Sequence, residues 1–192
     1  MFIQTLETPN PNTLKFVPNR PVYTEAMQGA SQTYTVDDDL SLSPFAKKVL
    51  HIEGVEKIFF GNDFIAVTKQ DDADWFMLKP HLLGTMMEHF VNDLPVIDIS
   101  KISGQHQQVP SENTLDELSQ KIMGLIDTRI RPAVAQDGGD IVFDSFIDGI
   151  VYVKMKGACS GCPSSTLTLK RGIENMLKFY VPEVQEVQHV ED

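Results

Sequence analysis

The chain has 192 residues, 42% hydrophobic and 22% charged, which is enough apolar material for ordinary cores and a length suited to two domains. Its net charge of −11 sets it against the phosphate backbone of nucleic acids, and both halves share the excess: residues 1–103 carry 8 Lys/Arg against 14 Asp/Glu, residues 104–192 carry 8 against 13. No apolar run nears the roughly eighteen residues of a membrane span, and the start Met1-Phe2-Ile3-Gln4-Thr5-Leu6 has no signal core or arginine-rich presequence, so the expectation is a cytosolic chain or one already processed into an organelle.

The first half mixes strands and helices. Phe2 to Leu6 and Thr13 to Val17 read as short strands around the turn Thr8-Pro9-Asn10-Pro11-Asn12. Ser43 caps a helix with Pro44 at its first position, carrying Phe45, Val49 and Leu50 and ending near Gly54. Val55 to Phe60 and Phe64 to Thr68 form a hairpin about Gly61-Asn62-Asp63. Asp74 caps a further helix with Trp75, Leu78, Leu82 and Met86 on one face, which Pro80 is expected to kink or restart. The polar stretch Ser103 to Ser111, with Gly104 and Pro110, reads as a linker, giving domains over 1–102 and 113–192 joined by 103–112.

In the second half, Thr114 and Glu117 form a capping-box pattern. Leu115, Leu118, Ile122, Leu125, Ile126 and Ile130 follow at helical spacing, and Pro132 interrupts. Asp137-Gly138-Gly139-Asp140 is read as a turn ending the helix and launching a strand, in preference to a second metal site. Ile141 to Ile147 is that strand, Asp148-Gly149 a hairpin turn, and Val151, Val153 and Met155 one face of the return strand. A helix from about Ser164 buries Leu169, Ile173, Met176, Leu177 and Tyr180, and Val184 to Val190 closes as a strand. The fold class is α+β: two small mixed domains, the second ordered helix, strand, strand, C-x-x-C, helix, strand.

The only cysteines are Cys159 and Cys162, in one Cys-Ser-Gly-Cys. In a reducing compartment this spacing points to metal or redox chemistry. It lies between a strand end and a helix start, where free N–H groups and the helix dipole favour thiolate, with Lys154 and Lys156 as further positive charge. Gly161 permits a tight loop and Pro163 suits the first helical position. Three readings stay open. One is a dithiol oxidoreductase, weakened by a strand that arrives from a hairpin rather than a parallel βαβ unit and by the lack of a flanking Trp. The second is a zinc site, and the third a cluster site, each completed by a second copy, since a tetrahedral zinc or an iron–sulfur cluster takes about four ligands. His51, His81, His89, His106 and His189 show no ligand spacing and read as surface or partly buried side chains.

The stretch Gly157-Ala158-Cys159-Ser160-Gly161-Cys162-Pro163-Ser164-Ser165, with Asp137-Gly138-Gly139-Asp140 and the helix Thr166 to Tyr180, resembles the C-terminal NifU domain. Glu7-Thr8-Pro9-Asn10-Pro11-Asn12-Thr13-Leu14-Lys15-Phe16, Ser43-Pro44-Phe45-Ala46 and Ile52-Glu53-Gly54-Val55 resemble the Nfu-type N-terminal domain. The resemblance covers nearly the whole chain. It implies an Nfu-type, NifU-like iron–sulfur cluster scaffold or carrier, a homodimer and not an enzyme. Cys159 and Cys162 of two chains would share one 4Fe-4S cluster. The cluster would come from an upstream assembly scaffold and pass to apo-proteins such as aconitase- or lipoyl-synthase-like recipients. It also implies the bacterial cytoplasm, or the mitochondrial matrix for a processed form. The N-terminal domain offers no chemistry of its own and reads as a structural or partner-binding module.

Overall fold

A computed structural model describes residues 2–27, 32–102, 116–159 and 163–190, the backbone alone for residues 163–167. The expected linker, the Thr114 cap and Leu115 lie outside the described residues. The chain divides into two compact units, Met1–Gln107 and Gln108–Asp192. No helix among the described residues is long and apolar enough to cross a membrane.

The first unit is built on a five-stranded antiparallel sheet of β1 (Gln4–Glu7), β2 (Thr13–Val17), β3 (Thr33–Thr35), β4 (Val55–Phe60) and β5 (Ile65–Lys69), in the order β1-β2-β5-β4-β3. The β4–β5 hairpin closes through a Gly61 N–H to Phe64 carbonyl bond of 2.9 Å. Strand β3 was not anticipated; it is only three residues long and is recruited by pairing Tyr34 with Ile58, both buried. Helix α1 (Pro44–Leu50) starts where expected, the Ser43 hydroxyl accepting from the Ala46 N–H at 3.0 Å. Helix α2 (Trp75–Val91) is likewise capped by Asp74, which accepts from the Phe76 N–H at 2.9 Å. Pro80 does not restart the helix: α2 runs from Trp75 to Val91 through it, with Pro80 on the exposed side. Aromatic side chains dominate this core: Phe16, Tyr34, Phe45 and Phe60 are all buried.

The second unit begins with α3 (Glu117–Leu125), continues through a π-wound stretch (Ile126–Ile130) and ends in α4 (Arg131–Gln136). The cap is Asp116, accepting from the Ser119 N–H at 2.6 Å, two residues beyond the expected start. Pro132 does not interrupt the helix. It occupies the first turn of α4, where a missing donor is harmless, and the preceding turn is wound wide, with the Arg131 N–H bonding the Ile126 carbonyl. The same widening serves the core: Ile122, Ile126, Ile130 and Val134 recur every four residues, a spacing that would drift off one face of a regular α-helix, yet all four are buried.

Strands β6 (Gly139–Ile147) and β7 (Ile150–Gly157) form the expected hairpin, with Asp148 and Gly149 both left-handed at φ 51° and 83°. Strand β6 starts two residues earlier than expected. Helix α5 (Pro163–Tyr180) then carries the chain to β8 (Glu186–His189), which pairs parallel with β7, so the sheet order is β6-β7-β8. Glu174 on α5 accepts from the Val187 N–H at 3.2 Å and holds the edge strand to the helix. Ile173 and Leu177 are buried, but Tyr180 is not: it lies at the helix end, 36% exposed, with the Arg129 guanidinium 4.9 Å from its ring.

Candidate metal centre

The site is set by what β7 does at its end. Gly157 takes a left-handed φ of 66° and turns the chain through Ala158 to Cys159, four residues before the first residue of α5. The Ala158 N–H donates to the Gly138 carbonyl at 3.1 Å, which ties the cysteine-bearing turn to the start of β6. Cys162, Ser160 and Gly161 lie outside the described residues.

Cys159 is 6% exposed and belongs to the apolar core of this unit. Burial is the main reason its thiol is pushed up to about 12, and the carboxylates of Asp137 and Asp140 add to it. This corrects the expectation of a thiolate-favouring environment. Lys154, one of the two lysines expected to help, lies 3.9 Å from Asp144.

The Asp137-Gly138-Gly139-Asp140 stretch is the turn that the sequence suggested. Asp137 caps the end of α4, Gly138 is left-handed at φ 79°, and Gly139 opens β6 opposite Gly157. Its closeness to Cys159 is new. A Cβ placed on Gly139 would lie 2.5 Å from the Cys159 sulfur and 2.8 Å from the Lys156 carbonyl oxygen. The next residue, Asp140, is nearly buried. Arg131 of α4 grips it with two parallel bonds, Nε to Oδ1 and Nη2 to Oδ2, each 2.8 Å, and the Ile141 N–H donates to Oδ1 at 2.8 Å. Sequence reading missed Gly139 and Asp140 as neighbours of the cysteine, and Arg131 as the partner of Asp140; the turn motif was visible, but not what it faces.

Among the described residues no group of three or more His, Cys, Asp or Glu is placed to hold a metal. The histidines divide differently from the expectation. His51, His81 and His189 reach solvent to some degree, His106 lies outside the described residues, and His89 is fully buried rather than partly exposed. Its ring lies 4.4 Å from that of Phe45, neither ring nitrogen has a hydrogen-bond partner, and burial brings it down to about 4.

One correction bears on the chemistry. The return strand was expected to have antiparallel neighbours alone, which counted against a dithiol redox site. In fact β7, α5 and β8 make a parallel βαβ unit, with the cysteine turn between its first strand and its helix. Topology therefore no longer separates the redox reading from the metal reading, and the burial of Cys159 disfavours the thiolate that both need.

Fold and motif together define the class: an α+β protein of two units in which one cysteine pair, between strand and helix, is the sole thiol chemistry. The pattern of the family described as "Scaffold protein Nfu/NifU N terminal" matches residues 3–93, and that of the NifU-like domain matches residues 122–188. The human "NFU1 iron-sulfur cluster scaffold homolog, mitochondrial" is 46% identical over 193 residues, covering all of this chain and 73% of that protein. The protein of the same description from Drosophila persimilis is 43% identical, and the chain covers 66% of its length. A solution structure of a NifU-like protein from Saccharomyces cerevisiae aligns with 51% of this chain and 85% of its own at 27% identity, with a TM-score of 0.44. The chain belongs to the Nfu family of NifU-like scaffold proteins.

Proposed function

We propose that this protein is an iron–sulfur cluster scaffold and carrier, not an enzyme, in which Cys159 and Cys162 of two copies hold one 4Fe-4S cluster between them and release it to apo-proteins. One observation carries the reading: the two cysteines are the only ones in the chain, and they supply half of a four-thiolate set. A two-fold pairing of the same turn with itself completes the set. Relatives similar to this chain over its full length are named as iron–sulfur cluster scaffolds, which supports the cargo, and as mitochondrial, which supports a mitochondrial location over the bacterial cytoplasm. The proposed division of labour gives cluster binding to the domain over 113–192 and a structural or partner-binding role to the domain over 1–102, with 103–112 as linker. The cluster would be received from an upstream assembly scaffold. Recipients would be apo iron–sulfur proteins of the aconitase or lipoyl-synthase kind.

Thiolates fit an iron–sulfur cluster by charge and softness, and two per chain leave a site that is open when the copies part. A cargo held by so few residues of each chain can be handed on. Anaerobic reconstitution should give a broad absorption near roughly 400 nm, from thiolate-to-iron charge transfer. Cys159→Ser and Cys162→Ser should each abolish it. A zinc-binding dimer would stay colourless under the same treatment, and turnover of a disulfide by the metal-free chain would favour the redox reading instead.

A further inference from the structure

We propose that Gly139 is a positioning residue for Cys159: its bare Cα is the surface on which the thiol rests, so residue 139 decides whether this sulfur lies inside the unit or is turned out towards solvent. The inference rests on the reading of Cys159 as a cluster ligand.

The φ of Gly139 is not left-handed, unlike those of Gly138, Gly149 and Gly157 nearby, so the backbone there is one that any residue adopts. Glycine is required for space alone. A Cβ at 139 would stand 2.5 Å from the cysteine sulfur, 2.8 Å from the Lys156 carbonyl oxygen and 3.1 Å from the cysteine Cβ, well inside contact distance. At Gly84, Gly124 and Gly172 an added Cβ meets nothing within 4 Å.

The backbone on neither side of this contact gives way easily. Gly139 is fixed from behind: Asp140 is held by the Arg131 fork, and Gly139 itself pairs with Gly157 across the hairpin. The cysteine turn is fixed from above by the Ala158 N–H to Gly138 carbonyl bond. The cysteine side chain has the most freedom, since rotation about one bond swings the sulfur away. A side chain at 139 would therefore press on both the thiol and the Lys156 carbonyl of β7, and of the two only the thiol can yield by rotation about a single bond. In the chain as it stands, a ligand that must reach a second copy is held in the core of its own unit, and the depth of that seat governs how readily it is presented.

The test uses the single thiol of a Cys162→Ser chain, metal-free and in native buffer. Its reaction rate with Ellman's reagent should be slow, and Gly139→Ala should speed it by about tenfold or more, because the sulfur becomes accessible. Val187→Ala is the control: Val187 is fully buried in β8. It should lower the thermal midpoint of the second unit and leave the thiol slow. A second measurement holds even if Gly139→Ala folds poorly. Its thermal cost should shrink when Cys159 is replaced by Ala, because the clash with sulfur is gone. An unchanged thiol rate, an equal acceleration in Val187→Ala, or a cost indifferent to Cys159 overturns the proposal. Should the wild-type chain take up no iron and sulfide while Gly139→Ala still frees the thiol, the cluster reading fails and the seat stands.

Discussion

Each unit buries a titratable side chain, His89 in the first and Cys159 in the second, and the contrast between these two separates packing from chemistry. In the first unit His89 lies among Phe45 and Phe90 and is held neutral, its affinity for a proton lowered by burial and by the nearby charges of Lys48 and Arg20. In the second Cys159 is held neutral by the same loss of hydration, and its carboxylate neighbours push in the same direction. His89 is sealed inside an aromatic core within a helix. Cys159 sits in a turn at a strand end, on a residue with no side chain, where a rotation suffices to present it. Burial of a reactive group is thus an end state in one unit and a gate in the other.

The largest way to break this contrast uses pH. The unfolded His89 imidazole takes a proton near 6.5 and the folded one only near 4, so between those values the unfolded chain binds more protons and stability falls as pH falls. The first unit should lose about 3 kcal/mol from pH 7 to pH 4. The sole tryptophan, Trp75, reports on that unit, so urea unfolding followed by its fluorescence measures the loss. His89→Leu should flatten the dependence; an unaltered slope assigns it to other groups.

The next test compares ion pairs. Arg131→Met leaves the nearly buried Asp140 without its fork, and the partial exposure of the guanidinium keeps the cost to about 2 kcal/mol. Arg20→Met in the first unit removes a 2.9 Å pair whose aspartate is 80% exposed, for about 0.5 kcal/mol or less. Equal costs in denaturant melts would erase the distinction. The smallest test concerns caps: Asp74→Ala and Asp116→Ala should each cost about 1 kcal/mol, the first seen by Trp75 and the second not.

Much of the architecture was readable because it rests on local chemistry. Ser43 and Asp74 cap their helices, Asp148-Gly149 turns its hairpin, and alternation along Val151, Val153 and Met155 marks the buried face. What escaped depends on partners far along the chain. A parallel partner for β7 arrives only after the 18 residues of α5, so the βαβ unit is invisible from the hairpin that precedes it. The π-wound stretch is hidden because Pro132 reads locally as a breaker. The candidate site was half legible. The cysteine pair stands out in the sequence, whereas the place of Gly139 under Cys159 follows from a register across two strands, and the burial of His89 from the packing of α2 on α1.

The central claim is that the second unit carries half of a shared site. Its most direct test is native mass spectrometry of anaerobically reconstituted protein, which weighs the assembly and counts its iron together. The account predicts two chains with about four iron and four sulfide, and single chains without iron for Cys159→Ser. A single wild-type chain that retains the cluster, or a reconstituted chain that stays monomeric and iron-free, would contradict it.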